Sequence, residues 1–513
     1  MEYFEAHGAW FLPGGLRVTG TLTFSADGLV LKVLGPLLQA RPTEEVPEGS
    51  SRRHPCRPLR GRTTSGGRGG RRHEGGRGRT AKLKRLKNLL GRGRRSNETK
   101  HLSTDEWGVL PLIYGVDEDQ RDITLVGSFG MTTQFPDLSE QTFNVTLALV
   151  GKHISNAEFS GIRAQFDHLA EWAAAPEIAS VRKNPRQIQV NGDATEIMKT
   201  SWKDSVLTLE SGIVGNSSGD KVHVDRYCTF AAESSPREWS ELLDIYLRPF
   251  HDLLILSLGR YVHMNEVEFR TAGSDDWFTA YFNMVSPQRG QLKSSSLQSY
   301  SSPTLLTAES TSIPLADLVP AWYSLHERLR TVVTLIHAPL YAPFTYSEHR
   351  YASIFQGIEA YHKLEGEQFD SRDLTRPEHR LRVKQVVAVL KAGNLPAEHV
   401  RWAKAVIEGR NDKPLKTKVE EVVLSTGYLG QCILAAAPSF CSAAYDARTG
   451  VSHGGADKGV TATSRHWFGE ILLLSMRVRL LQHLGVEQVG ERALKRPRFE
   501  FALEQAALES SQA

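Results

Sequence analysis

GLRVTGTLTFSADGLVLKVLG, residues 15–35, alternates apolar and polar positions on both sides of Ala26-Asp27-Gly28. A period of two around a Gly-containing turn predicts a β-hairpin. The pattern resumes in WGVLPLIYGVDEDQRDITLVGSF (107–129), QTFNVTLALVGKHI (141–154), RQIQVNG (186–192), VLTLESGIVG (206–215) and VHVDRYCTFAA (222–232). Short strands at this spacing, separated by Gly, Asn, Asp and Ser, predict a β-sandwich or barrel. One helix interrupts them: PREWSELLDIYLRPFHDLLILSL (236–258) carries apolar residues at helical spacing, with a kink expected at Pro249.

From Leu315 onward the period becomes helical, with helices expected over 321–337, 349–367, 378–392, 397–408, 416–436 and 464–484. In the last of these Trp467, Ile471, Leu474, Val478, Leu481 and Leu484 recur at steps of three and four, and Arg477 and Arg479 lie off that line. Strands followed by helices imply separate domains. The fold class is thus α+β multidomain, a β-rich sandwich- or barrel-like domain followed by an all-α bundle. The expected divisions are a β-rich domain over 1–38 and 106–290, a linker over 291–314, a helical domain over 315–490 and a tail over 491–513.

Between the two parts of the β domain lies a compositional break, 39–105. Residues 51–100 alone hold 14 Arg and 4 Lys against 2 Glu, a net of +16, whereas the other 463 residues hold 44 basic and 56 acidic residues, a net of −12. The overall +4 describes neither part. The Arg/Gly-rich text cannot bury enough apolar surface to offset its ordering entropy, so this insertion is expected to be disordered. It reads either as an RNA-binding tail or as an insertion without function.

Other classes are set aside quickly. The four cysteines show no metal-ligand spacing and no disulfide framework. The acidic, Pro- and Gly-containing start is unlike a signal peptide. The longest uncharged run, Val422 to Tyr445, is broken by Pro438, so a buried helix and loop is expected rather than a membrane span. A cytoplasmic protein with no membrane contact is expected, without metal or other cofactor. The β half lacks a G-x-S-x-G elbow, an H-E-x-x-H pair and a phosphate-cradling glycine loop. Its acidic GVDEDQRD (115–122) reads as a hairpin tip rather than a metal site.

The helical half carries YDARTGVSHGG (445–455), with Arg448 and His453 in an R-x4-H spacing. The spacing itself is weak, since Arg68/His73 and Arg163/His168 share it. Context sets the third pair apart: it lies between two apolar-periodic helices and is followed by Gly454-Gly455. Secondary candidates are Glu359 and His362, three apart on one helical face, where an ion pair is the plainer reading. Asp446 can pair with Arg448 or, more plainly, cap a helix start.

Four stretches, IFQGIEAYHKL (354–364), RNDKPLKTKVEEVV (410–423), YDARTGVSHGG and WFGEILLLSMRVRLLQHLGV (467–486), resemble the HEPN domain of ApeA-like anti-phage defence proteins. The N-terminal half, through GAWFLPGGLRVTGTLTFS (8–25), LIYGVDEDQRDITLVG (112–127) and FSGIRAQFDHLAEWA (159–173), is similar to the ApeA N-terminal domain. The resemblance implies a metal-independent endoribonuclease in which His453 is general base or acid and Arg448 stabilises the phosphate. It implies RNA as substrate, a homodimer formed through the HEPN domain and a restraint released by a phage-derived or small-ligand trigger. The family motif often places Asn after the arginine, where this chain has Thr449 and then Gly450. That difference is the basis of an alternative, a non-enzymatic HEPN adaptor that dimerises and binds protein or RNA.

Overall fold

The computed structural model describes residues 3–25, 28–35, 37, 109–135, 138–176, 179–184, 187–191, 195–218, 221–283, 304–342, 346–366, 368–453 and 461–512. The Arg/Gly-rich insertion, Trp107, most of the expected linker and Gly454-Gly455 lie outside the described residues.

The N-terminal half is β-rich, as its alternation requires. Strands β1 (Phe4–Phe11), β2 (Val18–Ser25), β3 (Gly28–Leu34), β4 (Val109–Asp117), β5 (Asp122–Phe135) and β6 (Leu138–Asn144) form an antiparallel ring in the order β5-β4-β1-β2-β3-β6. Pairing of Phe129–Phe135 with Leu138–Asn144 closes it into a six-stranded barrel. Inward positions of the alternating strands, Trp10, Leu22, Leu31, Val33, Ile113, Ile123 and Leu125, fill the interior. Trp10 lies across Gly115, where a Cβ would stand 2.3 Å from its ring. Closure removes the sheet edges that would otherwise invite association.

The GVDEDQRD tip is a hairpin turn, with Gln120 at a φ of 60°. Asp117 is buried and accepts hydrogen bonds at 2.7 Å from both the backbone N–H and the Nε of Arg121. Asp117 therefore organises the turn. Among the described residues no group of three or more His, Cys, Asp or Glu is placed to hold a metal ion.

The long β5 is shared. Its Asp122–Val126 half pairs with β7 (Leu147–Gly151), and from there the sheet continues through β15 (Trp277–Phe282), β14 (Met264–Thr271), β8 (Phe159–Phe166), β13 (Lys221–Arg237), β12 (Ser205–Ser218) and β11 (Thr195–Trp202). Strands β9 (Ala179–Asn184) and β10 (Gln187–Asn191) form a separate hairpin, and a short helix α1 (Leu169–Trp172) follows β8.

Against this open sheet lies the helix foreseen over 236–258. It runs as α2 (Trp239–Leu242), a π-helical turn (Leu243–Leu247) and α3 (Arg248–Leu258). A π turn directly precedes the expected kink site and leaves Pro249 in the first turn of α3. Every residue from Pro249 to Leu258 is buried. Phe250 stacks on Phe230 of the sheet at 3.9 Å. From the other side come α4 (Leu315–Arg328) and α5 (Arg330–Tyr341): Trp322 donates to the Pro249 carbonyl at 2.7 Å and Tyr323 to that of Tyr246. The expected 321–337 helix is thus two helices meeting at Leu329.

The α3–α4–α5 contact encloses a polar cluster. Asp252 of α3, buried, accepts from His326 Nε2 at 2.8 Å, His337 Nδ1 at 3.1 Å and Tyr341 Oη at 2.8 Å. Burial alone raises a carboxyl pKa, but the bonds from His326 and His337 hold Asp252 well below the usual range. The neighbouring His251, bonded to the Val262 carbonyl at 2.6 Å, is pushed by burial down to about 4. Between that value and an unfolded value near 6.5, the unfolded chain takes up a proton that the folded chain excludes. This contribution to stability is complete above about pH 6.5 and lost as pH falls toward 4, amounting to about 3 kcal/mol. Denaturant midpoints at pH 7 and 4.5 should therefore separate more for wild type than for His251→Gln; an equal separation would exclude His251 as the source.

The C-terminal region is helical: α6 (Ser347–Leu364), α7 (Arg376–Ala392), α8 (Ala397–Glu408), α9 (Leu415–Leu424), α10 (Tyr428–Ala436), α11 (Phe440–His453), α12 (Ala462–His483), α13 (Val489–Leu494) and α14 (Pro497–Gln512). The expected 416–436 helix is split at Gly427, whose φ is +69°. The two parts then cross closely, since a Cβ on Gly430 would stand 2.1 Å from the Val423 carbonyl oxygen. Residues 491–513, read from sequence as a tail, contain α14, whose Phe499, Ala502 and Ala506 are buried in the core.

Helix α12 carries the expected apolar line, but its other flank is covered too. Arg477 is buried and donates through Nε to the Leu256 carbonyl at 2.9 Å, at the C-terminal end of α3. A cation at a helix C-terminus satisfies orphan carbonyls and the helix dipole. Burial brings the Arg477 pKa down to about 9. This side chain joins the helical half to the β-rich half, a contact that lies off the apolar periodicity.

Candidate functional site

Helix α11 carries both R-x4-H residues. Its sequence, FCSAAYDARTGVSH, places Phe440, Ala443, Ala444 and Ala447 at steps of three and four, and all four are buried. Small side chains on that face let neighbouring helices approach closely. Tyr351 of α6 donates to the Ala444 carbonyl at 2.7 Å, and Phe440 meets Phe468 of α12 edge-on at 5.7 Å. Ser439, just before the helix, donates to the Ser510 carbonyl of α14 at 2.8 Å. From α9, Lys416 reaches the Ser442 hydroxyl at 3.0 Å. Burial raises the Cys441 thiol to about 12, so it stays protonated and unreactive at neutral pH.

Arg448 is half-buried, and the helix continues through Gly450 to His453. At 100° per residue the two positions lie about 140° apart around the axis, with the arc between them on the side opposite the buried alanine face. Thr449 is half-buried and its hydroxyl donates to the Tyr445 carbonyl at 3.1 Å, a bond back to the preceding turn. Asp446 is exposed in the second turn of α11, so it caps no helix start, because the helix begins six residues earlier at Phe440. Nor does it pair with Arg448 within the helix, since residues two apart face away from one another.

Glu359 and His362 are not brought together. Glu359 is exposed on α6, whereas His362 is fully buried and its Nε2 lies 2.7 Å from Glu421 of α9. The ring stacks on Phe369 at 4.9 Å. Burial would raise the Glu421 pKa, but its bonds to His362 and Lys413 outweigh this and lower it. His362, Glu421 and Lys413 form a packed ion-pair group between α6 and α9. The expected exposed i,i+3 ion pair between Glu359 and His362 is thus corrected: burial selects a carboxylate from another helix.

The second R-x4-H pair is structural. Arg163 of β8 pairs with Glu268 at 2.5 Å and lies over Trp277, and His168 meets Glu171 at 2.9 Å. A residue whose role the sequence does not reveal is Asn411. Its amide brackets Leu374, accepting from the backbone N–H at 3.2 Å and donating to the carbonyl at 2.8 Å. With the Arg372–Asp412 bridge it closes the neck of the α7–α8 hairpin.

No helix of the described residues is long and apolar enough to cross a membrane. No curated protein and no solved structure is similar enough to count as a match. Two family descriptions do match, ApeA N-terminal domain 1 over residues 5–322 and Apea-like HEPN over residues 352–489. The first covers more than half of the chain, and the second spans α6 to α13 and so includes the α11 helix with Arg448 and His453. In that order they account for both the barrel-containing half and the helical half, and this chain belongs to the ApeA family.

Proposed function

We propose that this chain is an anti-phage defence ribonuclease that cuts RNA without a metal ion, with its chemistry on α11. The observation that carries the reading is that Arg448 and His453 share one helix, packed into the core of the HEPN-matched region by its alanine face. Histidine titrates near neutrality, so His453 can take the proton from a ribose 2′-hydroxyl, which then attacks the adjacent phosphorus. Arg448 stays cationic and its planar fork can hold two phosphate oxygens as charge builds on the phosphorane. The bond to the 5′-oxygen breaks and that oxygen takes up a proton, from the now protonated His453 or from water, leaving a 2′,3′-cyclic phosphate and a 5′-hydroxyl. Because the two positions point to different flanks of one helix, two copies of α11 facing each other can pool their side chains in one cleft. A homodimer through the HEPN domain is therefore part of the proposal, with a phage-derived or small-ligand trigger releasing a restrained enzyme.

One observation favours a second reading. The Thr449 hydroxyl, at the position where the family often has Asn, is already bonded to the helix backbone. A HEPN adaptor that binds partners without cutting fits that arrangement. Incubating the purified chain with total RNA in EDTA separates the two. The ribonuclease reading expects cleavage that EDTA leaves intact. The adaptor reading expects no cleavage of any RNA, and partner binding that Arg448→Ala leaves unchanged.

A further inference from the structure

Outside the insertion the chain is acidic, a poor attractor for RNA, yet residues 376–410 hold 8 Arg and Lys against 3 Glu, a net of +5. These residues are the α7–α8 hairpin, a projection with a closed neck. Asn411 brackets Leu374 there, and Asp373 N–H donates to the Asn411 carbonyl at 2.8 Å. On the arm itself only His379, Val383 and Val400 are buried.

The charge is ordered. Arg376, Arg380, Lys384 and Lys391 are all exposed and fall within about 80° of one another around α7, along about 22 Å of its length. Among the described residues none of these four forms an ion pair. The one acid on α7, Glu378, is turned back to cap Thr375, bonding its N–H at 3.0 Å and its hydroxyl at 2.7 Å. Helix α8 adds exposed Arg401 and, next to it, Trp402, 69% exposed, while its exposed Lys404 pairs with Glu408 at 3.6 Å. A tryptophan so open is unusual on a helix surface, whereas an exposed flat ring on a basic arm is what a nucleic-acid base stacks upon.

We propose that the α7–α8 hairpin is an RNA-docking arm, its cation stripe tracking the phosphates and Trp402 stacking on an unpaired base. This rests on the reading that RNA is the substrate. Charge selects the occupant. In a symmetric contact between two copies the same stripe would meet itself and repel, while a polyanion complements it. The arm leads directly into α9, which packs on α11, so a strand held there is delivered toward the helix of Arg448.

The test uses the full chain and a fluorescent single-stranded 2′-O-methyl RNA, which cannot be cut because it lacks the attacking hydroxyl. Binding is read by anisotropy across a salt series. Arg380→Glu/Lys384→Glu should weaken binding at least tenfold and lower the log–log salt slope by about 1.4. Trp402→Ala should weaken it about tenfold. A barrel control with the same charge change, Arg17→Glu/Lys32→Glu, should bind more nearly as wild type does. Arm variants that bind no worse than the control overturn the proposal. So do arm variants that alter self-association in sedimentation while leaving RNA binding intact, since the face is then a protein interface. Because the probe is uncuttable, arm-dependent binding without cleavage of ordinary RNA sinks only the ribonuclease reading. Cleavage with arm-independent binding sinks only the arm.

Discussion

His453→Ala should lose RNA cleavage by about 100- to 10,000-fold, the range typical for removing a positioned general acid or base. The change acts at the last described turn of α11, after the buried Phe440, Ala443, Ala444 and Ala447 have fixed the helix, so folding should be little affected. Arg448→Ala should cost about 100- to 1,000-fold, in the range of losing one preorganised donor to a developing oxyanion. Arg448→Lys should recover little of it, because a point charge does not reproduce a two-pronged fork. Single-turnover rates with saturating enzyme separate these losses from weakened binding. Activity in either alanine variant equal to wild type would remove α11 as the site.

Asp252→Ala should be the most destabilising single change in the interior, by about 3–5 kcal/mol, the cost of removing one partner from a buried ionic group. Three donors, His326, His337 and Tyr341, converge on that carboxylate from α4 and α5. Without it the buried His326 and His337 lose their carboxylate acceptor and Tyr341 keeps only its 3.3 Å contact with His251 Nδ1, and unpaired buried polar groups cannot recover their lost hydration. The cluster also sits where α3 of the barrel-containing half meets the next helices, so the damage should reach both halves. Chemical denaturation should show a markedly lower midpoint for Asp252→Ala, with Asp252→Asn between it and wild type. Equal midpoints for all three would mean that the cluster contributes nothing net.

Local pattern revealed the element types well. The alternation of residues 15–35 gives β2 and β3, and the three-and-four steps after Leu315 give the helices, because each pattern reflects one face meeting a core. Long-range pairing was not legible. Nothing in the text of β5 says that one half pairs with β6 to close a barrel and the other with β7 to extend a sheet. The π turn ahead of Pro249 was missed since proline alone reads as a kink. Arg477 was missed since a periodicity that marks one buried face does not exclude a second.

The candidate site was legible in a narrower sense. Arg448 and His453 share a spacing with two unrelated pairs, and only their surroundings and the family resemblance singled them out. Asp446 was misplaced because the small, weakly patterned FCSAA stretch hides a helix start. His362 was given the wrong carboxylate because Glu421 is 59 residues away in sequence. Asn411 gives no sequence signal at all, since its partner Leu374 is met only once the α7–α8 hairpin has folded.

RNA end chemistry bears on the proposed mechanism with the least intervening inference. One labelled RNA is incubated in EDTA with wild type and with His453→Ala protein of matching circular dichroism, and the new termini are identified by mass spectrometry. The expected result is 2′,3′-cyclic phosphate and 5′-hydroxyl ends from wild type alone. Equal cleavage by the His453→Ala protein, or 5′-phosphate ends from wild type, would contradict an attack by the ribose hydroxyl assisted from α11.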